Sequence, residues 1–190
     1  MRKFLILSAS IFCLSAIFFT ARAQRTAYGT AEVHGSVNTT FSSFGGEIGA
    51  GQYFQRSRVG GGVSFTNRLI KETTHNEKVN FIRAEGFAEW LYRPYATRSR
   101  TFCLYVGGDV FLGYERMDLF NQNTESCRQS LYNVGYTKHK IIYGFSPRIE
   151  GEIFVHNNIA IIIPIRVPLT FNSQLSIFGC EVGVGVRYNI

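Results

Sequence analysis

Beyond residue 23 the chain alternates apolar and polar positions with a period of two over runs of ten or more residues. The carboxyl end shows it best. Phe178, Cys180, Val182, Val184, Val186, Tyr188 and Ile190 fall on one face, and Gly179, Glu181, Gly183, Gly185, Arg187 and Asn189 on the other. Successive side chains of a strand point to opposite sides of the sheet, so this rhythm predicts a long, two-faced β-strand. No stretch after residue 23 keeps a 3.6-residue apolar stripe or reaches the apolar length of a spanning helix.

The same alternation recurs upstream. Val79–Tyr92 sets Ile82, Ala84, Ala88, Trp90 and Tyr92 against Arg83, Glu85, Phe87 and Glu89. Thr101–Glu115 sets Phe102, Leu104, Val106, Val110, Leu112 and Tyr114 against Cys103, Tyr105, Gly107, Asp109, Gly113 and Glu115. Ile141–Val155 carries Ile141, Tyr143, Phe145, Ile149, Ile153 and Val155 opposite Arg148, Glu150 and Glu152, and Ile159–Phe171 places five apolar residues at odd numbers up to Val167 with Arg166 on the other face. Glycine-rich versions cover Tyr28–Asn38, Phe44–Gln55 and Arg58–Leu69. These are eight predicted strands, an even number as barrel closure demands, and each is long enough to cross an apolar layer when tilted.

The polar face decides the class. It collects Glu85, Glu89, Asp109, Glu115, Glu150, Glu152 and Glu181 with Arg83, Arg148, Arg166 and Arg187. In a soluble barrel the charges would face out and the apolar residues in. A narrow eight-stranded lumen instead suits a paired interior charge network, because the opposite face, nearly all Ile, Val, Leu, Phe, Trp and Tyr, would be an exposed apolar belt in water and an ordinary surface in lipid. The expected fold is therefore all-β: an eight-stranded antiparallel up-and-down outer-membrane β-barrel, with outer-membrane lipid as its surroundings and no wide pore. The soluble ligand-binding barrel is the competing architecture.

Met1–Ala23 reads as a cleaved signal peptide: Arg2 and Lys3 precede an apolar run from Phe4 to Phe19, and Ala21 and Ala23 supply the small residues that a signal peptidase requires. A retained signal anchor is the other reading. The barrel domain then runs from 24 to 190. With the amino terminus in the periplasm, the connections after strands two, four and six should be short. His156-Asn157-Asn158 is a tight turn, whereas residues 116–140 form a long polar outer loop. The segment Arg93–Arg100 is longer than this scheme prefers.

Composition narrows the function. With 45% hydrophobic and 17% charged residues, the 190-residue chain is not a disordered or solvating protein. Loss of Arg2, Lys3 and Arg22, with no acid, lowers the net charge from +7 to +4, and no dense basic face with interleaved aromatics remains, so direct nucleic-acid binding is not expected. Cys103, Cys127 and Cys180 remain, an odd count without C-x-x-C spacing, which excludes a fully paired disulfide framework. His34, His75, His139 and His156 lie at unrelated spacings, so no metal, cofactor or catalytic site is expected. A lipid-modifying barrel enzyme built on His34 or His139 needs a serine that nothing in the sequence places. Glu150 and Glu152 could be read as an acid/base pair, but near Arg148 they fit the interior network better. The glycine runs 45–51 and 60–62 lack the Lys-Ser/Thr of a phosphate loop and fit closely approaching strands.

Two surfaces could meet a partner. The outer loop carries Phe120, Cys127, Tyr132 and Tyr136; at the opposite rim Arg56, Arg58, Arg93, Arg98 and Arg100 form a basic group on the periplasmic turns.

Several segments carry a resemblance: Ala84-Glu85-Gly86-Phe87, Gly113-Tyr114-Glu115, Tyr143-Gly144-Phe145 and the ending Gly183-Val184-Gly185-Val186-Arg187-Tyr188-Asn189-Ile190, with Ala23-Gln24-Arg25 at the start. From about Val79 to Ile190 the chain resembles the TraO family of conjugative-transposon proteins from Bacteroides-type bacteria. Ile190 departs from the aromatic ending usual there. The resemblance implies a non-enzymatic envelope component, structural or docking, of the apparatus that moves a mobile element between cells, with other conjugation proteins as partners and no catalytic residues to carry over. A general surface barrel for adhesion or envelope integrity is the alternative role.

Overall fold

The computed structural model describes residues 29–40, 43–71, 78–97, 101–119, 139–174 and 179–190. Its strands are β1 (Ala31–Thr39), β2 (Ser43–Phe54), β3 (Ser57–Lys71), β4 (Lys78–Ala96), β5 (Phe102–Leu119), β6 (His139–Phe154), β7 (Ile159–Arg166), β8 (Leu169–Phe171) and β9 (Glu181–Asn189). Every pairing is antiparallel. β1 through β6 pair in chain order, β6 pairs with β7, β7 with β9, and β9 returns to β1 from Glu32↔Asn189 to Thr39↔Val182. The β1–β9 pairing closes the sheet into a barrel, which spares the apolar layer the free edges of an open sheet; among the described strands β8 alone pairs on one side only.

β7 and β8 occupy one position in the wall. Both pair with β6, through Arg148↔Arg166 to Phe154↔Ala160 and through Tyr143↔Phe171 to Phe145↔Leu169. The barrel therefore has eight strand positions, and the seventh, expected as one run from Ile159 to Phe171, is interrupted at Val167-Pro168. Pro168 has no N–H to give the ladder. Val167 N–H instead reaches Pro147 O at 3.0 Å, and the alternation of faces resumes unchanged in β8.

Two connections are shorter than the sequence led us to expect. β4 continues to Ala96 through an irregularity between Tyr92↔Val106 and Tyr95↔Leu104, where one extra residue beside Pro94 is accommodated as a bulge. The apparent Arg93–Arg100 connection therefore shrinks, and its end is fixed by Thr97 N–H to Phe102 O at 2.9 Å. At the other end β5 and β6 run past the expected boundaries and pair Arg116↔His139 and Glu115↔Lys140, so the first and last residues of the 116–140 loop belong to the wall. Phe120, Cys127, Tyr132 and Tyr136 lie outside the described residues, as does the expected signal segment.

The turn after β2 is two residues, Gln55-Arg56, with Gln55 at φ 49°. The turn after β6 is closed by His156 N–H to Ile159 O at 3.1 Å. The first and last described residues sit at this short-turn rim, where Ile190 N–H donates to Ala31 O at 2.9 Å.

The outward face is apolar on every strand position, with Ile48 71%, Leu112 64% and Val110 62% exposed. Inward, a layer of Tyr53, Leu91, Cys103, Tyr105, Phe154 and Ala160 closes the short-turn end. Beyond it lie the charges, and Phe81, Met117 and Ile142 are buried towards the long-loop end. Narrow barrels of this size have room for side chains and little else.

Candidate functional site

Strand parity aims the acids and arginines at the barrel axis. On β6, Arg148, Glu150 and Glu152 are buried while Ile149 is exposed; on β9, Arg187 is buried between the exposed Val186 and Tyr188. Removing an ion from water costs several kcal/mol unless partners offset it, and here each guanidinium meets more than one carboxylate.

Glu150 is the hub. Its carboxylate accepts from Arg187 Nη2 at 2.7 Å and Arg148 Nη2 at 2.9 Å, and lies 3.3 Å from Arg58 Nη1. Arg187 also donates to Glu152 Oε1 at 2.9 Å and contacts Glu32 through Nε. Tyr53 OH donates to the same Glu152 oxygen at 2.8 Å, tying the charge layer to the apolar floor. Arg148 reaches Glu47 Oε1 at 2.6 Å, and Arg58 donates to Glu89 Oε1 at 2.8 Å. In this layer five carboxylates (Glu32, Glu47, Glu89, Glu150, Glu152) face three guanidiniums (Arg58, Arg148, Arg187).

A second layer lies nearer the long loops. Arg166 donates to Asp109 Oδ1 at 3.1 Å, stands 3.6 Å from Glu181 and 4.0 Å from Glu85, and covers the Phe87 ring. Arg83 Nη2 donates to Glu115 at 2.9 Å. Ser173 Oγ and Gln174 N–H also donate to Glu115, at 2.8 and 3.0 Å. All eleven charged residues singled out from the sequence thus point inward, and ion pairs connect them. Most of these groups are locked against each other in the buried lumen, while Arg83 and Glu181 also line a recess at the long-loop end with Thr66, Arg68 and Thr170.

One assignment is corrected. Arg58, expected on the basic short-turn rim, is fully buried in the lumen between Glu89, Glu150 and Glu32. It stands one residue before Val59, whose side chain is outward, so parity sends Arg58 in. At the rim, Arg56 is exposed, and Arg93 Nη2 donates to Gln55 O at 2.9 Å. Arg98 and Arg100 lie outside the described residues. Glu32, His34, Glu47 and Arg58 are the interior members that the sequence reading missed. Their signal was present but diluted: Glu32-x-His34-x-Ser36-x-Asn38 alternates with Val33 and Val37, and glycine had thinned the apolar half of that pattern. Of the histidines considered for lipid chemistry, His34 is sealed in the lumen and His139 stacks on Tyr114, whose hydroxyl meets its Nδ1.

A family model described as conjugative transposon protein TraO matches residues 23–190. The chain belongs to the TraO family. The match takes in β1–β3 as well as the segments from Val79 onward that carried the resemblance. No curated protein matches this TraO-family chain. Among solved structures, it is similar to neisserial surface protein A, at 15% identity over 87% of this chain and 98% of that one, with a TM-score of 0.58. It is also similar to Ail, the attachment invasion locus protein of Yersinia pestis, at 14% identity over 86% and 100%, with a TM-score of 0.52. At such identities the shared property is the fold, a closed eight-stranded antiparallel barrel of the outer-membrane kind.

Proposed function

We propose that this TraO-family barrel is a non-enzymatic component of a conjugative transfer apparatus, seated in the outer membrane of a Gram-negative bacterium and acting as a structural or docking part. Membership in a conjugative-transposon family over residues 23–190 is the observation that carries the reading. The geometry supports the passive role. A lumen filled with ion pairs and floored by Tyr53, Leu91 and Phe154 offers no route for DNA, and the outward apolar belt suits lipid. What remains for partners is the two rims: the long-loop rim, with Phe120, Cys127, Tyr132 and Tyr136 on the loop itself, and the short-turn rim facing the periplasm, with Arg56 and Arg93. No direct contact with nucleic acid and no cofactor chemistry belong to this reading.

Deleting the gene from a donor and counting transconjugants tests it. Transfer should fall and return on complementation; unchanged transfer in the deletion strain would refute the role. Adhesion or envelope integrity is the alternative: it leaves transfer intact and changes surface binding or detergent sensitivity. A lipid-modifying activity would alter lipid A or phospholipid composition on overexpression, and we expect no change.

A further inference from the structure

Three buried side chains converge within the lumen, two of them carboxylates whose other oxygens are held by Arg187 (Glu32) and Arg58 (Glu89). Glu32 and His34 project from β1 and Glu89 from β4, and one potential ligand atom from each lies within 4.8 Å of the others. They meet over an inner wall of glycine. A Cβ on Gly49 would stand 2.6 Å from the His34 ring, one on Gly51 2.7 Å from Glu32 Oε1, and one on Gly60 3.2 Å from Glu89 Oε1. Glycine at these inward positions makes the space in which the three side chains converge.

The hydrogen bonding there is incomplete. The His34 side chain is wholly buried, yet neither ring nitrogen has a hydrogen-bond partner; Nδ1 is 3.4 Å from Glu32 Oε1. Glu32 Oε1 and Glu89 Oε2 likewise make no hydrogen bond, with guanidinium nitrogens only at 3.6 Å (Arg58) and 3.3 Å (Arg148). A buried imidazole without a partner costs free energy, and native interiors rarely leave one so. The described lumen as a whole carries more carboxylates than guanidiniums, nine against five.

We propose that Glu32, His34 and Glu89 form a binding site for a divalent cation of the zinc type. One imidazole nitrogen and two carboxylate oxygens are a donor set that such an ion accepts, leaving a fourth position for water. Donors on a tetrahedral zinc stand about 3.3 Å apart, so closing around the ion requires side-chain rotation of the order of 1 Å. The dication's charge offsets part of the carboxylate surplus, and Arg58 and Arg148, which both touch Glu89, keep Glu150 and, for Arg148, Glu47 as further partners. The ion would tie β1 to β4 across the lumen. The apolar floor and the second charge layer enclose the site, so the ion loads during folding and leaves slowly. This inference is independent of the transfer role.

The test uses the mature chain refolded in detergent micelles with Zn2+, passed through chelator and gel filtration, and analysed for metal by mass spectrometry. About one zinc per folded chain should remain. H34A and E89Q should lower retention at least about tenfold, while H156A, on the exposed turn after β6, should leave it unchanged. Wild-type protein retaining less than about a tenth of an ion per chain, or H34A retaining as much as wild type, would overturn the proposal. Should H34A not fold, wild type refolded with Co2+ decides: visible bands of a four-coordinate site support the proposal, and a six-coordinate aqua spectrum refutes it.

Discussion

Arg187 is the sharpest place to test whether the lumen is a dry, paired interior. It is fully buried on β9, and its three nitrogens address Glu32, Glu150 and Glu152. Arg187→Met keeps the apolar stem and removes the charge. Glu150 would still have Arg58 and Arg148, Glu152 would keep the Tyr53 hydroxyl but no guanidinium within 4 Å among the described residues, and Glu32 would be left with Arg58 at 3.6 Å and the His34 ring at 3.4 Å. The carboxylate surplus in that layer would rise by one. Breaking one side of a buried pair costs about 3–5 kcal/mol, which for a chain of this size is roughly 6–20 °C in the midpoint of thermal unfolding. The gel shift between folded and heat-unfolded barrel, followed against temperature in micelles, reads this directly. Adding Glu152→Gln should recover part of the loss, because the two residues share a hydrogen bond and their effects should not add. A shift below about 1 kcal/mol, with strictly additive single and double variants, would mean that water solvates these groups, and the packed-lumen reasoning would fail.

Other outcomes follow from the two faces of the wall. Ile48→Arg places a charge on the apolar outer face midway along β2 and should cost about 2–4 kcal/mol in lipid vesicles by urea unfolding, whereas Arg56→Glu on the exposed turn should change stability by less than about 0.5 kcal/mol. Gly49→Val should destabilise by about 1–3 kcal/mol in the same assay, since its side chain would enter the space of the His34 ring. In planar bilayers the purified barrel should show no steady open conductance; a stable ohmic step would contradict a lumen filled by Arg58, Arg148 and Arg187.

Much of this architecture could be read from the chain because a strand's period of two is rigid: once Trp90 and Leu112 were placed outside, Glu89 and Asp109 had to be inside. Parity failed to speak only where glycine diluted the pattern, and there Glu32, Glu47 and Arg58 were passed over. Arg58 was misplaced because its nearness to a turn in sequence was taken as nearness to water, although a two-residue turn puts the flanking positions straight back into the wall. Boundaries were less legible. The bulge beside Pro94 and the break at Val167-Pro168 depend on how opposing strands accommodate prolines, which a linear pattern does not encode. The convergence of His34 with Glu89 joins strands separated by two others in the wall, and only closure brings them together.

The seam between β1 and β9 has a consequence for biogenesis. The pairing that finishes the cylinder sets Glu32 opposite Asn189, and the Ile190 N–H donates to Ala31 O, so the first and last described strands meet there. A ribosome delivers the first of these long before the last, and until then β1 has one unmatched side. Whatever machinery inserts the protein must shelter that side until β9 docks, and loss of β9 would leave a curled ribbon instead of a sealed tube.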